Sequence, residues 1–97
     1  MQARKVHEFR EVLPDGTIVE GVIWALPRPT PDRPHGYKYR LYCGRAGKCL
    51  VRYDNETGKG DHVHHGNEER PYRFVSLDEL IADFYRDVQA LAGRRIK

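Results

Sequence analysis

The first half of the chain alternates between apolar and polar side chains, which is the pattern of β-strands that bury one face. Residues 6–13 and 17–26 flank the sequence Pro14-Asp15-Gly16, which is typical of a tight turn, so we predict a β-hairpin here. The second of these segments carries apolar residues on both faces. We therefore expect a helix or a partner molecule to cover its second face.

A second hairpin is predicted from residues 37–43 and 49–54, which are joined by a glycine-containing segment. The proline-rich segment 27–34 lies between the two hairpins and indicates a stiff loop, because proline lacks the amide hydrogen that a sheet interior requires. Residues 70–75 are predicted to form a short fifth strand. The pattern up to this point is that of a sheet built from successive strands.

The last part of the chain predicts an amphipathic helix over residues 77–92. Ser76 followed by Glu79 is a capping-box signature at its start, and Gly93 is a natural end. Apolar residues recur at helical spacing, and they are Leu77, Leu80, Ile81, Phe84, Val88 and Leu91. This stripe predicts that one face of the helix packs against the sheet.

Together these elements predict one α+β domain over residues 1–97. We expect a curved, mainly antiparallel sheet of about five strands within residues 4–75. The C-terminal helix, residues 77–92, is expected to pack on one face of that sheet, and residues 93–97 form a basic tail. A chain of 97 residues has room for one modest core.

Composition excludes several classes of protein. The apolar fraction of 39% and the charged fraction of 32% are ordinary for a globular protein, and no apolar run approaches the roughly 20 residues of a membrane helix. No hydrophobic segment follows the first residues, so we predict no signal peptide, no membrane partner and a cytoplasmic location. The net charge of +3 is compatible with a polyanionic partner.

The two cysteines, Cys43 and Cys49, are predicted to be reduced thiols, since cytosolic thiols are kept reduced. They face each other across the second hairpin if residues 45–47 form its loop. Their spacing around a hairpin is poorly suited to zinc, so we predict no metal site from them.

A polar segment, residues 52–66, is called here the histidine segment. It contains three of the five histidines, His62, His64 and His65. Histidine titrates close to neutral pH, so such a cluster can take up and release protons. Side chains alternate along an extended segment, which places His62 and His64 on one side and His65 on the other. The cooperating pair is therefore predicted to be His62 with His64.

These side chains are suited to cleaving RNA next to its own 2′-hydroxyl, without a metal ion or other cofactor. The reaction requires a base, an acid and cations near the phosphate. The predicted acid–base pair is His62 with His64, and the predicted phosphate-binding cations are Lys59 and Arg52.

Two further side chains complete the candidate catalytic set. Asp61 directly precedes the histidines, and we predict that it orients one of them. Tyr53, or Tyr72 in its place, is a candidate to donate a proton or to stack on a base.

Other residues are candidates for binding nucleic acid. Alternation in the third predicted strand puts Lys38, Arg40 and Tyr42 on one face, where cations can meet phosphates and a ring can stack on a base. His65 and Arg73 belong to the same predicted group. The alternative interpretation is the solvated face of a half-buried sheet.

Other chemistries stay open for the histidine segment. Asp61, His62 and His64, with Asp54 as a further ligand, have residue types and spacing that suit a divalent metal ion able to activate water. The neighbouring lysine and arginine oppose this interpretation, because they place positive charge beside a dication. Two alternatives for this segment remain. It is part of a binding module without catalysis, or it is a polar loop without a site.

A longer motif extends from this segment into the predicted helix. It consists of Arg52-Tyr53-Asp54-Asn55, residues 58–62, His64, Tyr72-Arg73-Phe74 and residues 77–84. This combination resembles the TumE-type toxins of bacterial and archaeal toxin–antitoxin systems, closely in the C-terminal half and in general layout in the N-terminal hairpins. Val63 stands where a basic residue is expected in many relatives, which leaves one phosphate contact without a donor.

The resemblance implies a small growth-arresting toxin encoded beside an antitoxin, which often carries a DNA-binding domain. It also implies RNA cleavage. The predicted partners are therefore a cognate antitoxin and RNA, and a homodimer through the strand that is apolar on both faces is a further candidate. The leading hypothesis is a toxin that cleaves RNA without a metal ion.

Overall fold

The computed structural model describes residues 2–56 and 58–91, which form one antiparallel sheet and one helix. The elements are β1 (Arg4–Val12), β2 (Ile18–Ala25), β3 (Tyr37–Arg45), β4 (Lys48–Asp54), β5 (His62–His65), β6 (Glu68–Pro71) and α1 (Leu77–Leu91). Each strand pairs with the strand that follows it in sequence, so the sheet order is β1-β2-β3-β4-β5-β6. The predicted α+β class, an antiparallel sheet with a C-terminal helix, is confirmed.

The sheet has six strands where about five were predicted, because the three clustered histidines lie in a separate strand, β5. A tight turn joins β5 to β6, and His65 pairs with Glu68 across it. The strand predicted over residues 70–75 is instead β6, which ends at Pro71. Every residue of β6 is exposed, so no alternation of apolar and polar residues marks this strand in the sequence.

The hydrophobic core lies between α1 and one face of the sheet, called here the inner face. The buried residues of α1 are Leu80, Phe84 and Val88, which belong to the predicted apolar stripe. The buried apolar residues of the sheet are Val19, Ile23, Tyr39, Leu41, Cys43, Val51, Tyr53 and Val63. Burial of this apolar surface is the main force that holds the helix on the sheet.

Ser76 caps the start of α1, as its capping signature predicts. The backbone N–H of Glu79 donates to the Ser76 hydroxyl oxygen at 3.1 Å. Acidic side chains in the first turn add a favourable interaction with the helix dipole. The predicted helix end at Gly93 and the basic tail 93–97 lie outside the described residues.

A two-residue turn, Ala46-Gly47, joins β3 to β4, in place of a three-residue loop. Its residues have φ angles of 53° and 77°, which such tight hairpin turns require. A bulge beside the turn pairs Cys43 with Val51, so Cys43 and Cys49 do not face each other. Both thiols are free, as predicted.

Candidate functional site

The candidate site lies on the outer face of the sheet, which is the face turned away from α1. Two neighbouring rows of outer-face side chains cross strands β3, β4 and β5. The rows are Arg40–Asp54–His62 and Tyr42–Arg52–His64. The antiparallel register of the strands therefore brings together side chains from three separate stretches of sequence.

His62 is held between a backbone carbonyl and a buried carboxylate. Its Nδ1 lies 3.0 Å from the carbonyl oxygen of Gly60, and its Nε2 contacts Oδ1 of Asp54. Both neighbours are acceptors, so the ring satisfies both only when each of its nitrogens carries a hydrogen. The side chain is 7% exposed. His62 is therefore held in the site between Gly60 and Asp54.

Asp54 is a buried carboxylate that lies between Arg52 and His62. Nε of Arg52 lies 2.9 Å from Asp54 Oδ2, and His62 covers Oδ1. Neither Arg52 Nε nor Asp54 Oδ1 has a well-aligned hydrogen bond, so charge rather than hydrogen bonding dominates these two contacts. A carboxylate that is 2% exposed requires such neighbours to offset the loss of water around it.

His64 is the neutral histidine of the pair. Nη2 of Arg52 donates to His64 Nε2 at 2.9 Å, and a guanidinium can only donate. His64 therefore accepts at Nε2 and carries its hydrogen on Nδ1. Loss of solvent around the ring lowers the pKa of His64, and the positive charge of Arg52 lowers it further. A neutral imidazole with a lowered pKa is suited to act as a base at neutral pH.

Glu69 completes the charge pattern from β6. Its Oε2 lies 3.5 Å from Nε2 of His62 and 3.5 Å from Nε2 of His64. The Glu69 side chain is 48% exposed, so solvent screens its charge more than that of Asp54. Glu69 therefore stands at the entrance of the site rather than in its interior.

Asp54, His62 and His64 also have the residue types of a metal centre. Each offers one ligand atom, and these atoms lie within 4.8 Å of one another. Asp61, which the sequence spacing suggested as a ligand, does not belong to this group. Arg52 already approaches Asp54 and His64 to 2.9 Å, so its positive charge competes with a metal ion for the same atoms.

Asp61 is directed away from the histidine pair. Its carboxylate accepts a hydrogen bond from the Tyr39 hydroxyl at 2.6 Å, and His35 Nε2 lies 3.0 Å away. Nδ1 of His35 accepts from the backbone N–H of Tyr37, so Nε2 carries the hydrogen and donates to Asp61. Asp61 thus orients His35, a histidine that the sequence did not single out.

Tyr53 and His65 lie on the inner face, beside α1. The Tyr53 hydroxyl donates to Oδ2 of Asp87, and Nε2 of His65 lies 2.8 Å from the same oxygen. Burial, followed by the hydrogen bond to Asp87, raises the pKa of Tyr53. The structure therefore places these two predicted site residues at the contact between sheet and helix, away from the histidine pair.

The other predicted residues surround the site. Lys59 is exposed and lines a surface pocket next to the histidine pair. Lys38 and Arg40 are exposed on the outer face, and Tyr42 lies half-buried beside them. Arg73 is exposed in the segment between β6 and α1. The outer face thus presents positive charge around the histidines.

Asp54 has a larger part in the site than the sequence predicts, and Glu69 was not predicted to belong to it. Asp54 follows Arg52 by two positions in β4, so alternation alone places both on one face. The shared face is therefore compatible with an ion pair between Arg52 and Asp54, as well as with Asp54 as a metal ligand. No sequence signal identifies Glu69, because its strand has no apolar face.

The fold and the site define a small α+β protein with a histidine-containing, cation-rich sheet face, and a family comparison is in agreement. The family model described as Toxin TumE matches residues 2–92. The chain belongs to the TumE toxin family, so the resemblance found in its sequence is confirmed. It is a toxin of a toxin–antitoxin system, with a cognate antitoxin as partner.

Comparisons with curated proteins and with solved structures gave no match. Across residues 2–56 and 58–91, no helix is long and apolar enough to cross a membrane.

Proposed function

We propose that this toxin arrests growth by cleaving RNA next to its own 2′-hydroxyl, without a metal ion. The observation that carries the proposal is a pair of adjacent imidazole rings whose hydrogen-bond partners play opposite roles. His64 accepts a hydrogen bond from Arg52, while His62 faces two acceptors. The two ring centroids are 5.0 Å apart. One group can therefore take a proton while the other supplies one.

In the proposed reaction, Nε2 of His64 removes the proton of the 2′-hydroxyl, and O2′ attacks the adjacent phosphorus. The bond from phosphorus to O5′ breaks, and His62 gives a proton to that leaving oxygen. The products are a 2′,3′-cyclic phosphate and a 5′-hydroxyl. Arg52 and Lys59 stabilise the negative charge that develops on the phosphoryl oxygens.

Arg52 changes partners in this scheme. In the free protein its guanidinium donates to His64, which occupies the lone pair that a base requires. An anionic phosphate is a stronger acceptor than a neutral imidazole, so substrate draws the guanidinium away and frees Nε2. The Arg52 side chain is 30% exposed, which gives a phosphate access to it.

The test is cleavage of RNA by the purified toxin in the presence of a chelator. His62→Ala and His64→Ala are each expected to lower the cleavage rate by about 100-fold or more. A substrate with a 2′-deoxy sugar at the cleaved position should resist cleavage. His7→Ala is the matched control, because His7 is exposed on β1. Thermal unfolding followed by circular dichroism checks that the variants fold.

Other outcomes would select other functions. Loss of cleavage with the chelator and recovery with a divalent ion would favour a metal-dependent nuclease, for which Asp54, His62 and His64 offer the ligands. RNA binding that weakens with salt but gives no fragments would favour a binding module.

A toxin that cleaves cellular RNA acts in the cytoplasm, and the antitoxin is proposed to carry a DNA-binding domain. Purified toxin–antitoxin pair should then shift a DNA fragment from its own promoter. The antitoxin alone should shift it as well, whereas the toxin alone should leave it unshifted.

A further inference from the structure

A half-buried tryptophan, Trp24, lies on the outer face in β2, whereas the histidine pair lies in β5. Trp24 lies in β2, where Lys5 of β1 and Lys38 of β3 are its partners in the sheet register. The Lys5 ammonium lies 5.5 Å from the centroid of the Trp24 ring. Because α1 packs on the inner face, the core does not explain the presence of a tryptophan here.

A surface groove connects Trp24 to the histidine site. It has a volume of about 550 Å³, and its lining includes Trp24, Lys38, Arg40, Asp54 and Glu56. This volume falls within the range of roughly 300–1,000 Å³ that is typical of small-molecule sites. Asp54 belongs to both the groove and the ion pairs with Arg52 and His62. A ligand in the groove would therefore be next to the proposed reacting groups.

The charges of the groove favour an anionic ligand. Among the described residues, neither Lys38 nor Arg40 has an ion pair, and both are exposed. The Arg40 guanidinium lies 5.3 Å from the centroid of the Tyr42 ring, which leaves its charge available to a phosphate. Glu56 is the opposing charge in the lining, apart from the ion-paired Asp54. Lys5 forms an ion pair with Glu8, with 3.0 Å between Nζ and Oε1.

We propose that this groove is a subsite for a nucleotide adjacent to the cleaved phosphate. The base stacks on Trp24, and the phosphate lies between Lys38 and Arg40. Stacking on an aromatic ring does not discriminate strongly between bases, so the subsite takes unpaired RNA with little sequence preference. This inference rests on the proposed ribonuclease function, because it assigns a position to the substrate of that reaction.

Trp24 is the only tryptophan of the chain, so its fluorescence reports on the groove directly. The probe is a short single-stranded RNA with 2′-O-methyl groups, which cannot be cleaved through the 2′-oxygen. We expect saturable quenching that weakens as salt is raised. A double-stranded RNA of the same sequence should quench less, because its bases are not free to stack.

Variants then test the stacking role, with binding followed by a label on the RNA. Trp24→Ala should weaken binding about tenfold, and Trp24→Phe should retain most of the affinity because it keeps a ring. Val12→Ala is the surface control, since Val12 is 56% exposed on β1. In cleavage assays at low RNA concentration, Trp24→Ala should lower the rate by the same factor, and saturating RNA should restore it.

The outcomes separate this inference from the proposed function. Absence of quenching, with cleavage that still depends on His64, would overturn the subsite and leave the ribonuclease proposal standing. Quenching without any cleavage would reject the ribonuclease and, with it, a position next to a cleaved phosphate, so the groove would be a site that only binds unpaired RNA. If Trp24→Ala weakens binding of the antitoxin but not of RNA, the groove is a protein-docking surface and the subsite is rejected.

Discussion

Nη2 of Arg52 donates a hydrogen bond to Nε2 of His64 over 2.9 Å. The contact fixes the hydrogen of the His64 ring on Nδ1, because an arginine can only donate. It also keeps a positive charge next to a ring that would gain a second positive charge on protonation. Protonation of His64 is therefore opposed in the free protein.

We expect the pKa of His64, measured by an NMR titration of the ring protons, to lie below its ordinary value of 6.5. Loss of solvent is the larger cause and Arg52 is the next, so Arg52→Gln should raise this pKa without restoring it fully. Arg10→Gln is the control, because it removes a positive charge from β1, the edge strand of the sheet, and Arg10 does not contact His64. An unchanged pKa in Arg52→Gln would contradict the assignment.

The same lowered pKa predicts the pH dependence of cleavage. His64 must be neutral to act as a base, so activity should rise as pH increases through its pKa. Because that pKa is lowered, the rise should be complete before neutral pH is reached. Initial rates between pH 4.5 and 8, buffered at constant ionic strength, provide the measurement. A rate still increasing above pH 7 would assign the base to another group.

Replacing Asp54 by asparagine should destabilise the protein strongly. Asp54→Asn removes the anion that lies between Arg52 and His62 and leaves the Arg52 guanidinium without its buried carboxylate partner. Removing one member of a buried ion pair costs about 3–5 kcal/mol, which urea unfolding can measure. Glu68→Gln is the control, since its ion pair with Arg70 is exposed and its loss should cost under about 1 kcal/mol. Equal stability losses in both variants would show that Asp54 is not a buried charge.

Asp61→Asn should affect stability rather than proton transfer. The substitution weakens the contacts with His35 and Tyr39, and we expect a loss of about 1–3 kcal/mol in the free energy of unfolding. The pKa of His64 should stay unchanged, because Asp61 does not contact that ring. A large shift of that pKa in a stably folded variant would return Asp61 to its predicted role of orienting one of the clustered histidines.

Tyr53→Phe should leave cleavage intact. The hydroxyl lost in this variant donates to Asp87 on α1, so the cost should be about 1 kcal/mol of stability. RNA cleavage by the folded variant is expected to match that of the parent. A drop on the order of 100-fold would instead support the catalytic role assigned to Tyr53 from the sequence.

The sequence predicted the parts of this protein that follow simple periodicities. Alternation in β3 placed Lys38 and Arg40 on one face, and helical spacing placed Phe84 in the core. Alternation also placed His62 and His64 on one side of their segment, and the two rings lie side by side in the structure.

What the sequence did not predict depends on pairing between strands. Asp54 becomes a buried anion only because the β4–β5 register sets it opposite His62. Asp61 precedes His62 directly, yet it lies before the start of β5 and faces a different histidine. Neighbours in sequence are not neighbours in space at the end of a strand, and no periodicity of a single segment specifies the register.

The order of strands in the sheet has a consequence for the time at which the toxin becomes harmful to the cell that makes it. Every strand pairs with its successor, so a chain leaving the ribosome can add strands one at a time. Arg52 and Asp54 emerge with β4, but both histidines of the pair follow in β5. A partly made chain that ends before β5 lacks the proposed acid and base, so the proposed activity cannot precede the synthesis of residues 62–65.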